Sequence, residues 1–234
     1  EFSSSAATAN ITLAGVGNSI SIASGGGIGT VTGSSGTDAL SFTGTSSISS
    51  LSGFETVTAT SASANFTLAA GGQSTTVSGT FGSITGGSGN DTVTFGSSGA
   101  TISSISGVET IVGGSGNDTV TLGTVQTSGS INLNGGTDTL TLAAGNNTLS
   151  VSNVETITGG TGNDTVTLGT VKTSGVVDLN GGTDTLVLFN DNNSFTVSDT
   201  ETITGGSGND TITLGSTQVS GTVIDLNGGT DSLT

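Results

Sequence analysis

The chain has 234 residues, of which 42 are glycine, and it contains no Trp, Tyr, Met, Cys, Pro or His. Seventeen acidic residues oppose one base, Lys172, and the formal net charge of −16 argues against nucleic acid and anionic membrane surfaces as partners. No apolar run reaches the length of a membrane span, and the absence of Cys excludes disulfides, so the fold needs another means of stabilisation.

Residues 1–85 resemble a degenerate version of the repeats that follow them. The segment 10–13, Asn-Ile-Thr-Leu, has the pattern of a strand, and Asp38 is the first acid that ends a Gly-rich turn. The segment 54–57 matches the start of a later repeat, but Ala64 stands where the corresponding acid would fall. We therefore expect coils with few turn acids here. They would pack around Phe42, Phe54, Phe66 and Phe81.

A long repeat organises the second part of the chain. Residues 109–154 and 155–200 align without gaps with 31 of 46 positions identical, and a third copy begins at Glu201. Each copy has one long Gly-rich turn, as at 113–118, and one short turn, as at 134–138, and both end in Asp. A fixed period of this length is typical of repeat architectures. We interpret the unit as half a copy, about 22–24 residues with one turn acid.

Strands are the elements that the sequence predicts. In the segment 119–122, Thr-Val-Thr-Leu, polar and apolar residues alternate at a period of two, and Thr, Val and Ile favour pleated surfaces. No segment combines a helical period with helix caps. The sequence therefore predicts an all-β fold, a parallel β-solenoid of about nine coils of about 22–28 residues. We expect one continuous domain over 1–234, with degenerate coils in 1–85 and motif-rich coils in 86–234.

Stacked coils of this kind would place their turn acids in one row along one edge. Two carboxylates about 5 Å apart repel by roughly 3 kcal/mol at an effective dielectric constant of 20, and no base lies nearby in sequence. The available donors are carboxylates, Asn side chains and backbone carbonyls, which suit Ca²⁺ better than Zn²⁺ or Mg²⁺. The predicted row consists of Asp91, Asp118, Asp138, Asp164, Asp184, Asp210 and Asp231.

The sequence Gly-Gly-x-Gly-Asn-Asp-Thr-(Val/Ile)-Thr begins at positions 86, 113, 159 and 205 and resembles the GGxGxDxUx nonapeptide of hemolysin-type (RTX) calcium-binding repeats. The resemblance implies a parallel β-roll, calcium held between neighbouring coils by turn carbonyls and the Asp, and type I secretion from Gram-negative bacteria. On these grounds the predicted ligands are Asp38, Gly86, Ser88, Asn90, Asp91, Gly113, Ser115, Asn117, Asp118, Gly135, Asp138, Gly159, Thr161, Asn163, Asp164, Gly181, Asp184, Gly205, Ser207, Asn209, Asp210, Gly228 and Asp231.

The sequence also departs from the family pattern. RTX nonapeptides run on both edges of the roll, with about 18 residues per coil, whereas the motif here marks one turn in each predicted longer coil, so we expect one row of sites. For a single motif the alternative is turn chemistry alone, because Gly, Asn and Asp all favour tight turns. The repetition of the motif without a counter-charge favours calcium.

Other polar groups receive simpler interpretations. A set of Glu residues recurs every second predicted coil, about 10 Å apart, where salt screens repulsion, and we interpret it as a solvated face. The segment 190–193, Asn-Asp-Asn-Asn, is interpreted as a plain turn, with a further cation site as the alternative. The Glu residues are Glu55, Glu109, Glu155 and Glu201.

The sequence predicts a structural module rather than an enzyme. There is no His, Cys or Tyr, and a regular ladder of acids lacks the asymmetric cleft that acid catalysis requires. The module resembles parts of bacterial surface-layer proteins and large RTX adhesins, which implies a secreted or cell-surface location.

The chain has no Met at its start and stops inside a repeat, so we expect self-association or attachment to the rest of a longer chain, without direct membrane insertion. A cell-surface glycan is a further candidate partner. The alternative function is a ligand- or ice-binding solenoid that uses outward Thr ladders.

Overall fold

The computed structural model describes residues 9–23, 26–217 and 219–234, and within these ranges it contains β-strands and turns but no α-helix. The strands pair in parallel, with successive coils stacked on each other. The fold is an all-β parallel β-solenoid of about 11 turns, which confirms the predicted fold class. In the described part of the chain, no helix is long and apolar enough to cross a membrane.

The chain forms two compact units, residues 1–120 and residues 121–234. The strands of the first unit are β1 (Ile11–Thr12), β2 (Ser19–Ile22), β3 (Gly26–Thr32), β4 (Ala39–Phe42), β5 (Ser46–Ser52), β6 (Thr56–Leu68), β7 (Ser74–Thr85), β8 (Thr92–Ser106) and β9 (Thr110–Val112). Strand β10 (Thr119–Leu122) contains the division between the units. The strands of the second unit are β11 (Ser130–Asn132), β12 (Thr139–Thr141), β13 (Thr148–Ser152), β14 (Thr156–Thr158), β15 (Thr165–Leu168), β16 (Val176–Asp178), β17 (Thr185–Val187), β18 (Ser194–Ser198), β19 (Thr202–Thr204), β20 (Thr211–Leu214), β21 (Val223–Asp225) and β22 (Ser232–Leu233).

A coil is shorter than the sequence suggested. In the first unit Leu40 pairs with Val57, and in the second Ile203 pairs with Ile224, so equivalent residues lie between 17 and 21 positions apart. The predicted nine coils of 22–28 residues are therefore wrong. In the second unit each coil has two strands, one in each of two columns of parallel pairing, and consequently two turns. The sequence interpretation assigned one Gly-rich turn to each coil.

The alternation of residue types determines which side chains form the core. In β15 the side chains of Val166 and Leu168 are buried while Thr167 is exposed, and the same pattern recurs along the chain. Burying one Val, Leu or Ile side chain stabilises the fold by about 1.5–3 kcal/mol, so regular stacking can replace large aromatic residues. Aromatic rings do enter the core of the first unit, where Phe42, Phe66 and Phe81 contact each other.

One copy of the 46-residue repeat contains an odd number of strands. Between the motifs at 159–164 and 205–210 lie the five strands β15 to β19. Because a coil uses two strands, one copy makes about two and a half coils, and the next copy starts half a coil out of phase. Successive motifs in the second unit therefore lie on opposite edges.

Candidate metal sites along the two edges

The turn residues of the second unit form two hydrogen-bonded ladders, one on each edge. At most steps the backbone N–H of one residue donates to a side-chain oxygen of the equivalent residue in the next coil, as from Asp164 N to Asp184 Oδ1 at 2.7 Å. The step from Glu155 to Lys172 differs, because Lys172 Nζ donates to the carbonyl oxygen of Glu155. Ladder A leads into the odd-numbered strands and consists of Gln126, Asn147, Asp164, Asp184 and Glu201. Ladder B leads into the even-numbered strands and consists of Asp138, Glu155, Lys172, Asn193, Asp210 and Asp231.

The predicted single row of Asp residues is therefore wrong. Asp164 and Asp184 belong to ladder A, whereas Asp138, Asp210 and Asp231 belong to ladder B. The physical reason is the odd number of strands per copy. With two edges, the carboxylates are shared between two rows, and Asn and Lys residues further separate them.

The first unit also carries its turn acids on two edges. Asp91 leads into the start of β8 and accepts the backbone N–H of Gln73 at 2.6 Å. Asp118 accepts the backbone N–H of Ala100, a residue in the middle of β8, at 2.7 Å. Asp38 belongs to a ladder on the edge that contains Asp91: its Oδ1 accepts the N–H of Asn18 at 2.6 Å, and its own N–H donates to Glu55 Oε2 at 2.7 Å.

Three of the four motif Asp residues, all but Asp210, also close their own turn. The second carboxylate oxygen of Asp91 accepts the N–H of Gly87 at 2.7 Å, and that of Asp118 accepts the N–H of Gly114 at 3.1 Å. Both Asp side chains are fully buried. The Asp therefore contributes to the turn through backbone hydrogen bonds, as the turn-chemistry alternative proposed, in addition to any role at a cation site.

The four Glu residues are part of the ladders rather than one separate row, and their side chains keep contact with solvent, exposed at Glu55 and partly exposed at the other three. Each accepts the backbone N–H of the Asp in the preceding coil, as Glu155 Oε2 does from Asp138 at 2.7 Å and Glu201 Oε2 from Asp184 at 2.8 Å. The longer Glu side chain reaches the ladder from a turn too short to contain the Gly-rich motif. The other two are Glu55 and Glu109.

Two buried Asn residues hold the ladders together through their side-chain amides. Asn193 Nδ2 donates to Phe189 O at 2.8 Å, Asp191 O at 2.7 Å and Asp210 Oδ1 at 2.9 Å. Asn147 makes the equivalent set of contacts one repeat earlier. Sequence reasoning did not identify these roles, although the recurrence of Asn at the same repeat position, directly before a strand, was a usable signal.

The buried carboxylates of Asp184 and Asp210 are not fully compensated by hydrogen bonds. Asp184 Oδ2 and Asp210 Oδ2 are buried and have no hydrogen-bond partner among the described residues. Burial raises the pKa of Asp184 to about 6, and the charges of Asp164, Glu201 and Asp199 act in the same direction. An unpaired buried carboxylate is costly, so both positions favour a bound cation.

The other turn acids show how much the local environment differs. Backbone N–H groups of Asn18 and Ser34 lower the pKa of Asp38 to about 2. Burial instead raises the pKa of Asp118 above its usual value. Asp38 is thus well stabilised as an anion by the chain itself, whereas Asp184 is not.

Several predicted ligands already have protein partners. The carbonyl oxygens of Gly159 and Gly205 accept side-chain amides from Asn180 at 2.7 Å and Asn227 at 2.5 Å. Asn163 Oδ1 accepts the N–H of Thr183 at 2.9 Å in the next turn, and Asn209 makes the equivalent bond. The remaining ligand assignments stay predictions.

The donor set fits calcium rather than a softer metal. Among the described residues no three His, Cys, Asp or Glu side chains cluster around one point, so each site would combine one or two carboxylates with backbone carbonyls. Such all-oxygen sets are characteristic of Ca²⁺, which accepts six to eight oxygens in flexible geometry. Asp184 and Asp210 are the positions where the uncompensated oxygens make the fit clearest.

These features define a repeat-built β-solenoid with acid-rich edges. A family model described as "RTX calcium-binding nonapeptide repeat (4 copies)" matches residues 83–99, 105–124, 130–149, 152–170 and 195–216. The chain thus carries RTX repeats, and the RTX nonapeptide repeat family binds calcium ions, which confirms the resemblance and the predicted cofactor. Comparison with curated proteins and with solved structures gave no match.

Proposed function

We propose that the protein is a non-enzymatic structural module, secreted or displayed on a bacterial cell surface, whose edges are completed by calcium. Buried carboxylate oxygens at Asp184 and Asp210 that lack a hydrogen-bond partner among the described residues are the observation that carries this proposal. The RTX repeats give the identity of the cation. Such a module would serve as a segment of a surface-layer, fibre or adhesin protein.

Calcium binding at these positions is coupled to folding. The unfolded chain cannot hold two adjacent turns together, so the ion binds the folded state and stabilises it. At a free calcium concentration of one hundred times Kd, each independent site adds about 2.7 kcal/mol. Calcium sites of extracellular modules commonly have Kd values of about 10⁻⁴–10⁻³ M, so a Kd in that range is expected if the module is extracellular.

The arrangement of the acids supports a structural rather than a catalytic role. Catalytic carboxylate pairs require different environments within a cleft, so that one is protonated and the other ionised. Here the acids recur along regular edges and accept backbone N–H groups, as Asp164 does from Asn147 at 2.8 Å. The chain also has no His or Cys to act as a base or nucleophile.

An exposed apolar surface supports packing against a further coil. Leu233 in β22 is 47% exposed, whereas its pairing partner Ile212 in β20 is fully buried. Val223 in β21 is 57% exposed. A coil from a second copy, or from further sequence of the same polypeptide, would cover these side chains and continue the parallel pairing.

Circular dichroism and thermal melting, in chelator and in millimolar calcium, test the proposal. We expect calcium to raise the melting temperature and the strand content, and light scattering in calcium to show association beyond the monomer. Identical melting in both solutions would refute calcium-coupled folding. A monomer at high calcium and high protein concentration would refute the assembly.

A second candidate function rests on an array of Thr side chains. Thr148, Thr165, Thr185 and Thr202 are direct register partners on the outer face of one sheet. The adjacent column is less regular, because Val187 interrupts it. A flat array of hydroxyl and methyl groups could order water and bind ice. Depression of ice growth that is abolished by replacing Thr165 and Thr185 with Lys would support this function.

A further inference from the structure

Lys172, the single basic residue of the chain, is buried inside ladder B. Its side chain is 7% exposed, and its Nζ donates to Val154 O at 2.6 Å and to Glu155 O at 2.9 Å. Both carbonyls belong to the turn of the preceding coil. A lysine on an otherwise acidic surface would normally extend into solvent, so this inward position needs an explanation.

The surroundings of the ammonium group resemble a cation site. The ring of Phe195 lies 5.6 Å from Nζ, within the range of a cation–π interaction. Burial lowers the pKa of Lys172 to about 8, while the charge of Glu155 acts in the opposite direction. The ammonium group is therefore still charged at neutral pH, and carbonyl oxygens and an aromatic face replace most of its water.

The position of Lys172 along the ladder gives a further indication. Its own backbone N–H donates to Asn193 Oδ1 at 3.1 Å, so it occupies a place in the row where Asp138 and Asp210 carry carboxylates. Residues 171–194 separate two matches to the RTX model, and Lys172 lies in that gap. The family pattern is thus interrupted in the segment where the chain supplies its own positive charge.

We propose that the ammonium group of Lys172 is a tethered counter-cation that replaces a calcium ion at the step of ladder B between Glu155 and Asn193. This inference rests on the proposed function, because it assumes that calcium serves other steps of the ladders. An ammonium group donates up to three hydrogen bonds and cannot be removed by chelation. Ladder B therefore keeps a compensating positive charge at one step when calcium is absent.

Two variants test the role of the charge. K172Q introduces the residue that stands at the same repeat position in the preceding copy, Gln126, and K172D introduces an acid like those at other steps. Adding S128K to K172Q restores the net charge at an exposed position and serves as the matched control. Melting temperatures in chelator and in calcium, and the number of bound calcium ions from isothermal titration calorimetry, are the measurements.

We expect K172Q to lower the melting temperature in chelator by about 5 °C or more, with or without S128K, because two charge-assisted hydrogen bonds are lost. The loss should be smaller in calcium, and K172D should bind one calcium ion more than the wild type. An unchanged melting temperature in chelator, or an equal loss in both solutions with unchanged stoichiometry, would overturn the inference. Failure of the proposed function would appear separately, as a wild type whose melting does not respond to calcium.

Discussion

The two units of the chain build the same kind of coil in different ways. In residues 1–120 the strands β6, β7 and β8 are 13, 12 and 15 residues long, and each takes part in both sheets, so the chain rounds one edge within a strand. In residues 121–234 the strands are 2 to 5 residues long and alternate with turns. Where a continuous strand rounds the edge, few turn acids are present. Where a tight turn forms the edge, nearly every coil contributes an acid or an amide to the ladder.

The two units also differ in their cores, which are partly aromatic in the first unit and mainly aliphatic in the second. The rings of Phe66 and Phe81 lie 5.7 Å apart in an edge-to-face arrangement, and Phe42 stacks on Phe66. Each Phe buries about 150–250 Å², so the first unit gains stability from its interior. In the second unit the buried side chains are mainly aliphatic, and Phe195 lies beside Lys172. The difference indicates that one fold can be stabilised mainly from its core or mainly from its edges, and under the proposed function the edge contribution depends on calcium.

Calcium removal should produce the largest difference between the units. Each site lost removes about 2.7 kcal/mol at a hundredfold excess over Kd, or about a hundredfold in amide protection. We expect hydrogen exchange in chelator to increase strongly in residues 121–234 and to change little in residues 26–85. Equal loss of protection in both regions would contradict the distinction.

Truncation of the aromatic core should affect the first unit alone. F66A removes a buried ring with two ring contacts and should cost about 3–5 kcal/mol. Because this side chain is buried and packs on the rings of Phe42 and Phe81, the loss should be the same in calcium and in chelator. Local stability from hydrogen exchange is the measurement, and L186A in the second unit is the matched core variant. A calcium-dependent effect of F66A would be evidence against a core-stabilised first unit.

Conversion of a ladder amide to an acid should make the second unit more calcium-dependent. N193D removes the three hydrogen bonds donated by the amide and places a carboxylate next to Asp210, at a cost of about 1–3 kcal/mol in chelator. Calcium should restore most of this loss. Urea denaturation measures both values, and S220D adds the same charge at an exposed turn as a control. A loss of stability that calcium does not restore would indicate that the hydrogen bonds donated by the Asn193 amide are required and that a bound cation cannot replace them.

The smallest expected effect is the pH dependence of the free energy of unfolding in chelator. We expect a change of about 1 kcal/mol, because solvent near the edge screens the charges. The folded-state pKa of Asp184 is raised to about 6, so its contribution to stability is fully present below pH 3.8 and is lost as the pH rises through 6. Asp38, with a pKa of about 2, behaves oppositely: its contribution is present above pH 3.8 and is lost as the pH falls through 2. Urea titrations of the wild type and of D184N between pH 4 and pH 7 should show a smaller loss in D184N, in which Asp118 still has a raised pKa.

The sequence was sufficient to predict the strands and the buried side of each one. Alternation in segments such as 165–168 determines the inward residues regardless of how the coils are counted. The coil length could not be predicted from the Gly-rich motif, because most of the turns do not contain it. The turn at 153–155, for example, lets Glu155 reach ladder B without any of the motif glycines.

The candidate sites were predictable in their chemistry but not in their arrangement. The acids and the cation follow from composition, yet the assignment of Asp164 and Asp210 to opposite edges depends on the parity of the strand count. The inward direction of Lys172 could not be predicted, since the preference of lysine for solvent is strong. Only the three-dimensional structure shows that carbonyl oxygens of the preceding turn accept hydrogen bonds from its ammonium group.

The odd strand number of each copy constrains how such a chain can grow by tandem duplication. Inserting one 46-residue copy adds five strands, which shifts all later residues by half a coil. A surface feature of the later residues that lay on one face of the solenoid would then lie on the opposite face. Inserting two copies returns each later residue to its original side. Lineages that lengthen in pairs would therefore keep an inherited binding face, whereas single duplications would exchange the two faces without altering one side chain.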